Sequence, residues 1–283
     1  MSDPKNPILI GCSGWSYPDW VGPFYPDGME AGDFLAWYAD RFPIVEVDST
    51  FYRSPSAGMV RGWRDRTPRD FKFALKVPKV ISHEKGLKDC QGEVDRFVSS
   101  IVGLGDKLMV ALLQLGYFNR GAFSSLDDFL DVLDPFLASW PHDQVPLALE
   151  TRNPRWVGPE LVEVLKSHNT ALTLTEQSWM PRPAKIVEAL DPVTGPLGFV
   201  RLLGDREGIE KIATTWDKIV VDRSAELAET AGVIETMAER VPVVVFVNNH
   251  YAGHSPETAR HLRQRLGQPE PTPPARPRTT LFD

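Results

Sequence analysis

Leu108-Met109-Val110-Ala111-Leu112-Leu113-Gln114-Leu115, then an apolar stripe at Leu126, Phe129, Leu130, Leu133 and Leu137, then Val145-Pro146-Leu147-Ala148-Leu149-Glu150-Thr151, reads as strand, helix, strand. The outer runs are short and apolar on both faces, as strands are when helices cover one side and a core fills the other. The stripe between them has the 3.6-residue period of an amphipathic helix. Such a unit joins two parallel strands by a right-handed crossover.

The same unit repeats outward in both directions. Further strand-like runs are Ile8–Cys12, Ile44–Asp48, Phe71–Val77, Ala171–Thr175, Gly198–Leu203 and Val243–Asn248, making eight in all. A second helical stripe lies at Val94, Phe97, Val98, Ile101 and Val102. Eight alternating units predict an α/β fold, a single (β/α)8 TIM-type barrel with parallel strands; an open doubly wound sheet is the other fold with this one-dimensional pattern. The barrel is expected over residues 1–267 and a proline-rich tail over 268–283, with Gln268–Arg278 extended and Leu281 and Phe282 pinning the terminus. Pro181 and Pro183 limit any helix between Gln177 and Pro196 to its later half. Ser255-Pro256 reads as an N-cap followed by proline at the first helical position.

Bulk properties narrow the function classes. The chain has 283 residues, 42% of them hydrophobic and 24% charged, which allows a full core. A formal charge of −7 argues against a protein held mainly by nucleic-acid phosphates or anionic lipid, although it leaves room for a local basic pocket. Two cysteines, Cys12 and Cys90, cannot build a disulfide framework or a four-thiolate zinc site. Neither a signal-peptide pattern nor a membrane-length apolar run is present, so the cytoplasm is the expected location and no membrane partner is expected.

In barrels of this kind the functional side chains stand at the carboxyl ends of the strands. Alternation turns Glu46 and Asp48 inward from the second strand and Lys76 from the third. It likewise turns in Gln114 from the fourth, Glu150 and Arg152 from the fifth and Arg201 from the seventh, while the eighth ends in Asn248-Asn249-His250. Six charges thus converge on one mouth. They are expected either to serve a ligand or to form a structural ion-pair layer, because buried charges must be paired. On the functional reading Glu150, with Glu46 and Asp48, supplies acid–base chemistry. Lys76, Arg152 and Arg201 suit a phosphate or carboxylate, so the expected partner is a small anionic ligand. Gln114, Asn248, Asn249 and His250 would orient it.

Two loops add to the mouth. The run Ser13–Tyr25 gathers Trp15, Tyr17, Trp20, Phe24 and Tyr25, either as a hydrophobic plug or, through Trp15 and Tyr17, as a stacking wall. The run Asn248–His254 leads into a helix whose N-terminal amides could receive an anion. Gly103-Leu104-Gly105 precedes a strand and is no dinucleotide fingerprint. Cys12 reads as a buried structural thiol. No cofactor is expected. A divalent ion held by His83, His250 and His254 with the inward carboxylates is the alternative, since folding alone can gather such ligands.

Several of these runs resemble one family closely. Gly11-Cys12-Ser13-Gly14-Trp15-Ser16-Tyr17, Trp20–Pro26, Asp48-Ser49-Thr50-Phe51-Tyr52-Arg53-Ser54-Pro55 and Phe71–Pro78 are similar to the YecE-like family, also called domain of unknown function 72. So are Ser82-His83-Glu84-Lys85, Glu150-Thr151-Arg152-Asn153-Pro154-Arg155-Trp156 and Asn248-Asn249-His250-Tyr251-Ala252-Gly253. The resemblance covers nearly the whole chain. It implies a TIM-type barrel and no reaction, because the family has no established activity. The chain departs from the usual pattern at Asn153, where the family more often has His, and at Leu203-Gly204, in place of a His-Gly pair. It departs again at Gly116-Tyr117, in place of Pro-Pro.

Three functions follow as expectations. The first is an enzyme acting on a small anionic or sugar-like substrate by acid–base chemistry, of hydrolase or isomerase/lyase type. The second is a metal-assisted phosphodiester hydrolase, and the third a non-enzymatic binding or assembly scaffold.

Overall fold

Alternation within each run becomes the two faces of a closed sheet. The computed structural model describes residues 6–269. The strands are β1 (Ile8–Ser13), β2 (Ile44–Val47), β3 (Lys72–Lys76), β4 (Leu108–Gln114), β5 (Leu147–Glu150), β6 (Ala171–Gln177), β7 (Gly198–Gly204) and β8 (Val243–Val247). All pair in parallel in sequence order, and β8 returns to β1 to close the barrel. This is the expected (β/α)8 barrel.

The covering helices include α1 (Phe34–Ala39), α2 (Ala57–Asp65), α3 (Gln91–Ile101), α4 (Leu126–Ser139), α5 (Pro159–Ser167) and α6 (Pro183–Ala189). After β7 come the single turn α7 (Arg206–Ile209) and α8 (Ser224–Ala238), and after β8 come α9 (Asn249–Ala252) and α10 (Ser255–Arg265). Among the described residues no helix is long and apolar enough to cross a membrane.

Two apolar layers result. Inside the barrel, Ile44, Ala74, Val110, Leu112, Ala148, Phe199, Val244 and Phe246 fill the lower part, with the Phe199 and Phe246 rings 5.2 Å apart. Their strand neighbours Val45, Val47, Phe73, Leu75, Leu113, Leu149, Val200 and Leu202 join the layer between sheet and helices. From α4, Phe129, Leu133 and Leu137 enter that layer fully buried.

One seam is joined partly by a side chain. β1 and β2 pair only at Cys12–Val45 and Ser13–Glu46. Below that point Tyr38 of α1 inserts its hydroxyl, which accepts from the Cys12 amide at 2.6 Å and donates to the Ile44 carbonyl at 2.9 Å. The chain comes so near here that a Cβ on Gly11 would stand 2.0 Å from the Ile44 oxygen, so only glycine fits.

Three details differ from the sequence reading. β6 runs on to Gln177, because its pairing with β7 continues past Thr175 at Glu176–Leu202 and, after a register shift, Gln177–Gly204. Ser255 is the first residue of α10, after an N-cap at His254, and its hydroxyl donates to Asn249 Oδ1 instead of capping the helix. The tail expected from Gln268 lies outside the described residues beyond Pro269; Gln268 itself donates from Nε2 to the Ile8 carbonyl at 2.8 Å.

Candidate active site

Arg201 stands in β7, pointing into the barrel above the apolar fill, and is 1% exposed. A guanidinium buried so deeply needs full compensation. It donates from Nε to Glu46 Oε2 at 2.8 Å and from Nη2 to Glu46 Oε1 at 2.5 Å, a bidentate fork. Its Nη1 donates to Glu150 Oε2 at 2.7 Å and, at 3.4 Å, to Gln114 Oε1. Glu46 and Glu150 are both fully buried.

The network widens toward the mouth. Arg152 Nη2 meets Glu150 Oε1 at 2.6 Å, and its Nη1 donates to Gln177 Oε1. Lys76 Nζ meets Asp48 Oδ1 at 2.8 Å, and Arg201 Nη2 lies 3.9 Å from the same oxygen. All six charges read from the sequence therefore join in one connected set. They differ in depth: Glu46, Glu150 and Arg201 form a floor, while Asp48, Lys76 and Arg152 rise from it.

The electrostatics separate the three carboxyl groups. Burial, reinforced by the charge of Asp48 against the pull of Arg201, holds Glu46 up at about 7. Burial also opposes the charge of Asp48, but Lys76 and Arg201 outweigh it and bring that carboxyl down to about 2. Glu150 suffers the same burial, and Arg152 and Arg201 overcome it and lower its pKa.

Above the floor opens a cavity of about 520 Å³, lined by Tyr17, Asp48, Phe51, Tyr52, Lys76, Gln114, Arg152, Gln177, Trp179, Arg201, Leu203, Arg206, Asn248 and His250. Tyr17 holds its place by donating to the Ser13 carbonyl at 2.9 Å. Asn248 Oδ1 caps α9 by accepting from the His250 amide at 3.0 Å, and it lies 2.6 Å from His250 Nδ1. His250 Nε2 faces Glu210 at 3.1 Å, and burial keeps the ring below its ordinary pKa against that pull.

Four expected residues are placed elsewhere. Glu46 and Glu150 lie beneath the cavity instead of lining it. Trp15 packs edge-on against Trp63, its ring 6.1 Å away, and Trp20 and Tyr25 are fully buried, so the first loop is mainly a plug and only Tyr17 reaches the cavity. Asn249 is 2% exposed, and its Oδ1 accepts from the Ser255 amide at 3.0 Å. That amide belongs to the first residue of α10, so it is not offered to an anion at the mouth. Cys12 is buried, and burial pushes its thiol up to about 12.

The candidate metal donors are dispersed. His254 Nδ1 faces the Trp216 carbonyl at 2.8 Å, and His83 stands against Phe51, with Nδ1 2.8 Å from Ser82 Oγ. Among the described residues no three His, Cys, Asp or Glu side chains come together as a metal site needs.

Lining residues that the sequence reading passed over are Gln177, Trp179, Phe51, Tyr52, Leu203 and Arg206. Carrying the alternation of β6 one step beyond Thr175 would have found Gln177. The loop residues have no period to reveal them.

A family model described as protein of unknown function DUF72 matches residues 9–281. The chain belongs to the DUF72 family. Among its relatives, UPF0759 protein YecE of Escherichia coli (strain K12) is 35% identical over 127 residues, covering 44% of each chain. UPF0759 protein YunF of Bacillus subtilis (strain 168) is 29% identical over 159 residues, covering 55% of this chain and 54% of that one. These matches span about half the length of the curated relatives. The crystal structure of a DUF72 family protein (TM1631) from Thermotoga maritima MSB8 superposes with a TM-score of 0.74 at 25% identity, covering 93% of this chain and 100% of that one. The DUF72 resemblance read from the loops thus agrees with the family model and the curated relatives, and the barrel read from the strands with the Thermotoga maritima structure.

Proposed function

We propose that this DUF72 chain is an enzyme that seats an anionic group of a small substrate at the barrel mouth and moves a proton through Asp48. The observation carrying this reading is the cavity above the Arg201 floor, where Asp48 is the one carboxylate among the lining residues and Lys76 and Arg152 stand beside it. Two neighbouring carboxyl groups whose pKa values are driven apart mark an acid–base pair. Glu46, held near neutrality, backs Asp48 as the proton reservoir.

Lys76 and Arg152 hold the anion. Arg152 keeps a buried Nε–H with no hydrogen-bond partner among the described residues, a vacancy that a ligand oxygen would satisfy. Glu150, with both oxygens engaged by arginines, acts as a positioning residue for Arg152 and Arg201. Gln114, Gln177, Asn248 and His250 supply neutral hydrogen-bonding groups around the ligand.

Calorimetric titration with inorganic phosphate tests the anion seat. Saturable binding is expected, weakened about tenfold or more by Lys76→Met or Arg152→Met, since a hydrogen bond to a charged group is lost in each. Absence of binding, or binding by both variants as tight as by the wild type, overturns the assignment. In a screen of phosphorylated and carboxylated sugars and esters, Asp48→Asn is expected to abolish any turnover found.

A further inference from the structure

A second cleft, of about 820 Å³, adjoins the mouth. Its walls include Tyr117, Phe118, Arg120, Arg152, Arg155 and Trp179, and it shares Arg152 and Trp179 with the first cavity. We infer that the two form one trough for a short single-stranded nucleic-acid segment, with phosphates on the cationic side chains and bases stacked on exposed aromatic rings. This rests on the anion seat proposed above and extends it to a substrate class.

Charge is the first support. The chain as a whole carries −7, yet the trough walls carry Lys76, Arg120, Arg152, Arg155, Arg201 and Arg206 against the single carboxylate of Asp48. Arg201 is neutralised by the floor, Lys76 pairs with Asp48, Arg152 with Glu150 and Arg206 with Glu210, so the uncompensated charge lies on Arg120 and Arg155 of the second cleft. Arg120 and Arg155 are exposed and make no ion pair with the described residues. A segregated cationic groove on an acidic protein fits a polyanion.

The aromatic side chains give independent support. The exposed aromatic residues among those described are Tyr52 (74%), Tyr117 (70%) and Trp179 (50%), and all three line this trough. Flat rings left open beside cations are what stacking of unpaired bases uses. Beneath them Phe129 stacks on Trp156 at 4.4 Å, and Phe118 lies 6.1 Å from both, giving the second cleft a rigid base.

An acidic saccharide would need acceptors for its hydroxyls, and the second cleft has few to offer. Asn153 uses Oδ1 on the Phe118 amide at 3.0 Å and Nδ2 on the Phe118 carbonyl at 2.8 Å. Ser124 and Ser125 are engaged with Asp128. Guanidinium groups and rings remain. Each cavity alone has the size of a small-molecule site, so the joined pair suits a longer ligand.

The test uses fluorescein-labelled oligothymidylate, followed by anisotropy at several salt concentrations, beside calorimetry with inorganic phosphate. The oligonucleotide is expected to bind more tightly than phosphate, with an affinity that falls steeply as salt rises. Arg120→Ala combined with Arg155→Ala, both exposed, should weaken it about tenfold or more and leave phosphate binding unchanged; Trp179→Ala should also cost about tenfold. Phosphate binding without any gain for the oligonucleotide overturns the trough and leaves the mouth seat standing. Failure of phosphate to bind overturns the seat and this inference with it. Tighter binding of an oligogalacturonate than of the oligonucleotide assigns the trough to acidic saccharides instead.

Discussion

Arg201 and Glu46 meet as a bidentate pair inside the barrel although 155 residues separate them in the chain. With Glu150 on the other side of the guanidinium, the pair closes the barrel interior beneath the cavity. Both carboxylates have this one cation in common, and that sharing makes the network sensitive to single substitutions.

Arg201→Met leaves Glu46 without its forked partner and Glu150 with Arg152 alone. The expected loss is about 3–5 kcal/mol, as for other broken buried pairs. Urea unfolding measures it. A smaller loss in Arg201→Met combined with Glu46→Gln would show that the cost is that of an uncompensated charge. An unchanged midpoint in Arg201→Met would contradict the floor.

The pH dependence of stability has a defined sign at Glu46. Its folded pKa, about 7, lies above its ordinary 4.5, so between those values the native state holds more protons than the unfolded chain. Stability from this group therefore falls as pH rises through that window. Asp48 acts oppositely: its folded value, about 2, lies below 3.8, and the stability it contributes is lost as pH falls from the upper value through the lower. Unfolding free energies of the wild type and Glu46→Gln, measured from pH 4 upward, should diverge between pH 4.5 and 7, the wild type falling relative to the variant as pH rises. Parallel curves would remove Glu46 as the proton reservoir.

Gln177→Leu removes the acceptor that fixes Arg152 Nη1. Phosphate affinity is expected to drop several-fold, while stability changes by only about 1 kcal/mol. Equal affinity would mean that Arg152 is held by Glu150 alone.

Tyr38→Phe strips the hydroxyl from the β1–β2 seam and leaves the Cys12 amide and the Ile44 carbonyl without a partner. A loss of roughly 2–4 kcal/mol is expected, because two buried backbone groups go unpaired. Hydrogen exchange at Cys12 should accelerate together with it.

Much of the fold is legible in the sequence. The eight apolar runs specify the barrel because strand length, helix period and parallel connection admit few other topologies. Alternation also gave the inward direction of Glu46, Lys76, Gln114, Glu150 and Arg201, since side chains on a strand can point only two ways. Depth was not legible. Glu46 lies two residues before Asp48, and that step separates a sealed floor residue from one at the cavity, a distinction set by the stagger of eight strands together. Tyr52, Tyr117, Arg120 and Trp179 come from loops, where no periodicity constrains direction. Asn249 illustrates the opposite error: its neighbours Asn248 and His250 reach the cavity, while the turn of α9 swings its amide back to Ser255.

The guanidinium at the centre of the barrel has its hydrogen-bonding directions occupied from below and from the sides, so an arriving guest finds a finished surface instead of an opening. It can neither sink toward Phe199 and Phe246 nor recruit Arg201 without dismantling two other pairs. On the proposed reading, discrimination among guests is written sideways, in the segments that follow β2, β4, β5, β6 and β7. If the proposed seat is right, transplanting those segments between relatives would exchange what is recognised while leaving the floor of Arg201, Glu46 and Glu150 untouched.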